Sequence, residues 1–161
     1  QQRAGTQSAS TEARAAARQS DPKTSELWAA LSPFSPDFEE LERNRIVAFE
    51  ASREAVPFDI LRTKVMLTMR KNGWRRLAIT SPTANCGKST TSCNIALGLS
   101  RQSDATGILF EFDLRKPVMS ERLDLKVDST VADVLDGNIP FEEHARCYRN
   151  NVAVAVASRA F

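Results

Sequence analysis

The chain has 161 residues, of which 42% are hydrophobic and 26% charged, and its formal net charge is +2. This length suits one domain with a tail, and the apolar content excludes a wholly disordered protein. The near balance of charge argues against nucleic acid as a partner, and no apolar run approaches the ~18 residues of a membrane span. Three cysteines without metal-ligand or disulfide spacing indicate free thiols in a cytoplasmic protein.

The N-terminal part is predicted to be a tail, followed by a single domain. Residues 1–25 contain no large apolar side chain, and this composition predicts disorder. We place the disordered tail and linker at residues 1–36 and the domain at residues 37–161. The apolar residues near this boundary are interpreted either as packing on the domain or as a docking peptide for a partner: Trp28, Leu31, Phe34 and Phe38.

Two helices are predicted next. The first begins at Ser35-Pro36-Asp37, with Pro at the first helical position, and its pattern continues until Pro57. The second covers about residues 58–70 and ends at Asn72-Gly73 through a left-handed cap. Every charged residue from Arg62 to Arg76 is basic, which indicates either a solvated face or a surface for an acidic partner or an anionic membrane leaflet. The predicted apolar side of the second helix comprises Ile60, Leu61, Val65, Leu67, Thr68 and Met69.

A strand, a loop and a helix are predicted over residues 77–99, LAITSPTANCGKSTTSCNIALGL. Residues 76–80 are expected to form a buried strand and residues 89–101 a helix. A loop in this position binds phosphate because its backbone N–H groups converge at a helix N-terminus. Lys88 would reach the β- and γ-phosphates, and the Ser89 hydroxyl suits Mg²⁺. The predicted nucleotide contacts are Thr83, Ala84, Asn85, Cys86, Gly87, Lys88, Ser89 and Thr90.

A second strand is predicted over residues 107–113 and ends in acidic residues. The carboxyl ends of parallel strands meet at one edge of a sheet, so Asp113 is expected beside Lys88 and Ser89, where it can hold Mg²⁺ through water. Further along, helices are predicted over residues 131–135, capped by Ser129 or Thr130, and over residues 140–148. A third strand follows at residues 151–157. Alternating strands and helices predict a parallel sheet covered on both faces.

Three single residues are interpreted by their surroundings in the sequence. Cys86 is either a small buried loop residue or a redox-sensitive thiol beside a helix N-terminus. His144 has no cluster of nucleophiles or ligands around it, so we expect a solvated helix position. Tyr148 is expected to be a surface or packing residue rather than a phosphate acceptor.

Over about residues 58–157 the sequence resembles the bacterial tyrosine kinases of capsule and exopolysaccharide synthesis. These kinases belong to the P-loop class that includes the plasmid-partition and division-site ATPases. The motifs that carry the resemblance are Ile79-Thr80-Ser81-Pro82, Gly87-Lys88-Ser89-Thr90, Asn94-Ile95-Ala96, and the acidic run from Phe110 through Glu111, Asp113 and Arg115 to Pro117. Phe58-Asp59-Ile60-Leu61-Arg62-Thr63 and the VADVLDG segment at residues 131–137 also resemble that family.

The resemblance implies a three-layer α/β P-loop fold with a parallel sheet, of which about three strands fall in this sequence. It also implies phosphoryl transfer from Mg²⁺·ATP to tyrosine. Carried over by motif, Lys88, Glu111 and Asp113 would be catalytic, Ser89 and Asp113 would hold Mg²⁺, and Arg115 would contact ATP. Expected partners are a membrane-bound polysaccharide chain-length regulator or a second copy of the same protein, at the inner face of the membrane.

Two alternatives stay open at this point. The first is a regulatory or partitioning ATPase of the same fold, suggested by Glu111 where the family has Asp. Partitioning relatives carry a lysine early in the loop, and Ser81-Pro82-Thr83-Ala84 has none, which favours the kinase. The second is a non-catalytic module of the export machinery, because the family's following strand, ending in Asp-Thr-Pro-Pro, is absent. We therefore expect a piece truncated before that strand, with an incomplete catalytic centre.

Overall fold

The structure, a computed structural model, describes residues 22–157 and divides into two units. Helix α1 (Pro22–Ala30) belongs to the first unit, and the second begins at Leu31. The predicted disordered tail falls partly on residues 1–21, which lie outside the described residues. Residues 22–36, where a disordered tail and linker were predicted, include α1 and strand β1 (Ser32–Pro33). Phe34 is buried in the core, which agrees with the interpretation that apolar residues near this boundary pack on the domain.

The second unit is an α/β arrangement of short strands and helices. Its strands are β1, β2 (Gly107–Phe110), β3 (Arg146–Tyr148) and β4 (Val152–Ala155). Its helices are α2 (Phe38–Arg43), α3 (Val56–Asn72), α4 (Lys88–Leu99), α5 (Met119–Arg122), α6 (Val131–Leu135) and α7 (Phe141–His144). The strands form one open sheet in the order β1-β3-β4-β2. No helix within residues 22–157 has both the length and the apolar content needed to cross a membrane.

The sheet is mixed, so the prediction of an all-parallel sheet is wrong at one pair. β1 runs parallel to β3 and β2 parallel to β4, whereas β3 and β4 are antiparallel. Arg149 and Asn150 both have positive φ, 49° and 64°, the conformation of a tight hairpin turn. This hairpin also corrects the helix predicted over residues 140–148, which ends at His144 so that the following residues form β3.

The predicted first strand, residues 76–80, is not a strand. These residues have no regular secondary structure and no ladder partner, and all but Ile79 are exposed. An apolar run becomes a strand only where a neighbouring backbone accepts and donates its hydrogen bonds. Among the described residues β2 pairs only with β4, and residues 76–80 pair with neither. The strand predicted to reach Asp113 likewise ends at Phe110.

Helix α3 packs on α4 with a face that differs from the predicted apolar side. Ile60, Leu61 and Leu67 are exposed, so the prediction that they face the core is wrong. Arg62 is buried instead, and its Nη1 donates to the Gly98 carbonyl oxygen at 2.6 Å and to Asp59 Oδ1 at 2.8 Å. A Cβ on Gly98 would lie 2.8 Å from that nitrogen, so a larger residue here would displace the Arg62 guanidinium from its hydrogen bonds.

Local signals for helix ends are mostly confirmed. Asp37 caps α2 by accepting from Glu39 N at 2.9 Å, and Gly73 ends α3 in the left-handed conformation. Thr130 caps α6 through a capping box. The first helix is shorter than its pattern predicts, because it ends at Arg43 and Arg45 adopts a φ of 60°.

The prediction of a solvated His144 is wrong. Its side chain is fully buried, with Nδ1 2.8 Å from the Ser129 hydroxyl and Nε2 3.0 Å from the Val156 carbonyl oxygen. Burial lowers the pKa of this imidazole, so the neutral form is favoured in the fold. Tyr148 is buried too, in agreement with a packing role.

A buried amide fixes helix α4 to the segment before α3. Asn94 is fully buried, and its Oδ1 accepts from Val47 N at 2.8 Å and Ala48 N at 3.0 Å. Its Nδ2 donates to the Arg45 and Thr90 carbonyl oxygens, each at 2.9 Å. All four hydrogen-bonding positions of this amide are therefore used.

Replacing Asn94 by Ala is expected to lower the free energy of unfolding by about 3 kcal/mol, because the buried N–H group of Ala48 and the partly buried N–H group of Val47 lose their acceptor. Urea denaturation followed by circular dichroism measures this. Asn72→Ala is the matched control, since its amide makes an exposed bond to Thr68, and a change within ~0.5 kcal/mol is expected. Equal losses in the two variants would contradict the role given to Asn94.

Candidate functional site

The loop before α4 presents an open, exposed backbone turn. Residues 82–87 are all exposed, and the Ser81 hydroxyl donates to the Thr83 carbonyl oxygen at 2.8 Å. Asn85 and Gly87 have positive φ, 60° and 80°, and Asn and Gly are the residues that adopt this conformation at least cost. A Cβ on Gly87 would meet nothing within 4 Å, so the space at the start of α4 is open.

The first turn of α4 has backbone N–H groups available for a ligand. Within residues 22–157, the N–H groups of Gly87, Lys88, Ser89 and Thr90 donate to no protein acceptor, and the first helical bond is from Thr91 N to the Gly87 carbonyl oxygen at 2.8 Å. No hydrogen bond is made by the Ser89 hydroxyl to this part of the chain. Such unpartnered groups at a helix N-terminus carry positive potential and suit an anion.

Lys88 and Asp113 meet at this helix end, and their predicted proximity is confirmed. Lys88 Nζ lies 2.9 Å from Asp113 Oδ2, and each side chain is about one third exposed. Asp113 Oδ1 also accepts from Lys116 N at 3.2 Å. The Lys88 hydrogen bond, aided by the Lys116 amide, holds the pKa of Asp113 below its usual range, so the carboxyl is ionised at neutral pH.

Arg122 is a second cation at the site, and no motif in the sequence indicates it. Its Nη1 donates to the Thr90 hydroxyl at 3.0 Å. The residue lies at the end of α5, a four-residue helix that the hydrophobic pattern of the sequence did not predict. Only the fold brings it beside the first turn of α4. Thr90, predicted to contact a phosphate, thus uses its hydroxyl oxygen as an acceptor for a guanidinium.

Glu111 is buried, and its carboxylate accepts three backbone hydrogen bonds. Oε1 accepts from Val118 N at 2.8 Å and Met119 N at 3.0 Å, while Oε2 accepts from Ala157 N at 3.0 Å. Burial raises the pKa of this carboxyl, with the three N–H groups acting in the opposite direction. In this geometry Glu111 joins the end of β2 to α5 and to the residue two positions after β4.

The remaining predicted residues lie around the loop without converging on one point. The Thr83 hydroxyl lies 2.8 Å from Cys86 Sγ, which is itself 3.8 Å from the Ala84 carbonyl oxygen. Cys86 is an exposed free thiol, so the interpretation as a small buried residue is wrong. Arg115 is exposed in the turn after Asp113.

The donor set fits a magnesium-bound polyphosphate in chemical type. Mg²⁺ prefers oxygen ligands and usually keeps several waters while using one or two protein oxygens plus phosphates. The Ser89 hydroxyl and the Asp113 carboxylate are the oxygens that could serve as protein ligands. Lys88 and the N–H groups of the first turn would face the phosphates. No group of three or more His, Cys, Asp or Glu side chains within residues 22–157 is arranged to hold a metal ion.

Comparisons of the chain with known protein families, with curated proteins and with solved structures find no match. The resemblance to the bacterial tyrosine kinases therefore remains a prediction that depends on the motifs themselves.

The ion pair predicts a specific titration behaviour for Asp113. Because its folded pKa lies below the ordinary value, the pair contributes stability above the ordinary aspartate pKa and loses it as the pH falls through the lowered pKa. Lys88→Met should raise the Asp113 midpoint towards that of a free aspartate, measured by carbon NMR of the carboxyl. Asp133, whose pKa is lowered by hydrogen bonds from Thr130, is the control and should not move. An unchanged Asp113 midpoint would contradict the pair.

Glu111→Gln is expected to lower the free energy of unfolding by about 1–3 kcal/mol, because an amide NH₂ would replace one carboxylate oxygen and face backbone donors. Urea denaturation measures the loss. Glu54→Gln removes the same charge at an exposed position and should change stability by less than ~0.5 kcal/mol. A Glu111→Gln variant as stable as the Glu54 control would show that its three hydrogen bonds carry no net stability.

Proposed function

We propose that the chain is the nucleotide-binding part of a protein-tyrosine kinase that acts in exopolysaccharide or capsule synthesis and transfers the γ-phosphate of Mg²⁺·ATP to tyrosine. The observation that carries the proposal is the meeting of Lys88 and Asp113 at 2.9 Å beside unpartnered helix N–H groups. Such a site needs a cation for phosphate, an acid for the metal and backbone donors, and all three lie together.

In this proposal each site residue has a specific role in binding the nucleotide or the metal ion. The N–H groups of residues 87–90 would bind phosphate oxygens, and Lys88 would leave Asp113 to contact the β- and γ-phosphates. Ser89 and Asp113 would hold Mg²⁺ directly or through water. Bound Mg²⁺ neutralises charge that builds up on the phosphates during transfer. Arg122 would keep the Thr90 hydroxyl oriented at the first turn of α4.

The fold proposed for the whole nucleotide domain is that of the P-loop ATPases, with residues 76–80 as the strand before the loop. Their apolar side chains support this, because Leu77 is 49% exposed and would gain burial as a strand in a larger sheet. The location proposed is cytoplasmic. The partners proposed are ATP and either a polysaccharide chain-length regulator or a second copy of the chain.

A second candidate is a nucleotide-binding or ATP-hydrolysing module that does not phosphorylate tyrosine. The position of Glu111 favours it, because a carboxylate engaged by three backbone N–H groups is poorly placed to accept the proton of an attacking hydroxyl. In that case Asp113 would be the acid that faces the nucleotide.

Titration calorimetry with ATP and Mg²⁺ tests nucleotide binding. Lys88→Met should weaken affinity at least about tenfold, since a hydrogen bond to a charged group contributes roughly 1.5–3 kcal/mol. Lys126→Met is the matched control, because this exposed lysine lies outside the loop, and its affinity should equal that of the unchanged chain. Equal binding by the Lys88 variant would remove the loop as the site.

Incubation with γ-labelled ATP and a Glu–Tyr copolymer then separates the two candidates. Phosphotyrosine above the level of the Lys88→Met variant supports the kinase. Release of inorganic phosphate without phosphotyrosine supports the ATPase.

A further inference from the structure

Helix α3 carries an outward face on which apolar and basic side chains alternate. Ile60, Lys64, Leu67 and Lys71 follow one another at spacings of four, three and four residues, so they lie on one side of the helix. Trp74 comes immediately after the Gly73 cap. We name this set the basic–apolar stripe: Ile60, Lys64, Leu67, Lys71 and Trp74.

The fold does not use this stripe for its own packing. Ile60 is 52% exposed, Leu67 61% and Trp74 59%. The helix is attached to the domain by the other side, where Arg62 bonds to Gly98 and Met66 packs against the core. Exposed aliphatic and aromatic residues grouped on one side of a well-packed helix indicate a surface that binds another molecule or a membrane.

The charge around the stripe is of one sign. Lys64, Lys71, Arg75 and Arg76 are exposed, and no acidic residue occurs between Asp59 and Asp104 in the sequence. Asp104 Oδ2 lies 3.5 Å from Arg70 Nη2, and Asp59, at the start of the helix, pairs with Arg62 and Arg101. An open cleft of about 420 Å³, lined by Gly73, Trp74, Arg75 and Arg76, continues the surface past the helix end.

We propose that the basic–apolar stripe docks on the surface of an anionic phospholipid bilayer. Lysines interleaved with Leu and Ile suit this partner, because their alkyl stems lie along the apolar layer while the ammonium groups reach lipid phosphates. Trp side chains favour the boundary between the headgroups and the acyl chains of a bilayer, where these lysines and apolar residues would also lie. The exposed arginines after Gly73 add attraction to anionic headgroups.

A nucleic acid is the less suitable partner for this surface. Phosphodiester backbones would satisfy the lysines and arginines, yet Ile60 and Leu67 would stay exposed to water between them. A bilayer engages both kinds of side chain at once. Docking here would also place the candidate nucleotide loop near the membrane, because residues 77–81 connect the stripe to the loop directly.

Co-sedimentation of the chain with vesicles tests the proposal. We expect binding to phosphatidylcholine vesicles containing about 30% phosphatidylglycerol and none to phosphatidylcholine alone. The double variant Lys64→Gln/Lys71→Gln should bind about thirtyfold more weakly, since each basic side chain at an anionic leaflet contributes ~1 kcal/mol. Arg53→Gln/Lys126→Gln removes two exposed charges elsewhere and should bind like the unchanged chain. Equal losses in both double variants would overturn a local docking surface.

A second pair of variants tests the apolar part of the stripe. Leu67→Gln should weaken vesicle binding severalfold, whereas Leu135→Gln, at another exposed leucine, should not. In a Trp28→Phe background, Trp74 fluorescence should shift to shorter wavelength with anionic vesicles only. Absence of both effects would overturn the proposal, as would equally tight binding to single-stranded RNA that is insensitive to Leu67→Gln. Circular dichroism melting confirms that each variant folds, and ATP titration is a separate readout of the loop.

Discussion

The carboxylate of Glu111 holds together the parts of the fold on which the candidate site depends. It accepts hydrogen bonds from the backbone of Val118, Met119 and Ala157, so the end of β2, the start of α5 and the residues after β4 are joined at one buried point. Asp113 follows two residues later and is thereby directed to Lys88. Arg122 lies at the end of the helix that Glu111 anchors, and it reaches the Thr90 hydroxyl. A single buried acid thus positions both an acidic and a basic neighbour of the loop.

Helix α4 is fixed by polar contacts as much as by its apolar side chains. Asn94 uses its amide to hold the segment before α3, and Arg62 bonds to the Gly98 carbonyl oxygen near the other end of the helix. Buried polar groups with all partners in place give a packing arrangement directional specificity that apolar contacts lack. Helix α4 is therefore fixed by these contacts along its length, while the N–H groups of its first turn stay available for a ligand.

Several features were predictable because they depend on neighbours in the sequence. The caps at Asp37, Gly73 and Thr130 follow from side-chain chemistry within one helical turn. The proximity of Lys88 and Asp113 was predicted from the edge of a parallel sheet, and it is found at 2.9 Å although residues 76–80 form no strand. Other predictions were wrong where the outcome depends on residues that are far apart in the sequence. Residues 76–80 have strand composition but no paired backbone. Ile60, Leu61 and Leu67 of α3 face outward, because Arg62 and Met66 take the inner positions.

The sequence by itself determined the exposed loop with Gly87 at its end, the helix that follows it and the alternation of helices with strands, because these depend on residue type and short spacing. The tertiary structure alone decided that Glu111 is an anchor, that Arg122 lies beside Thr90, that His144 is buried, and that α3 presents alternating lysines and apolar residues to the outside. Each of these outcomes depends on which segments approach one another, since the burial of a polar group is decided by whether remote backbone supplies its hydrogen-bonding partners.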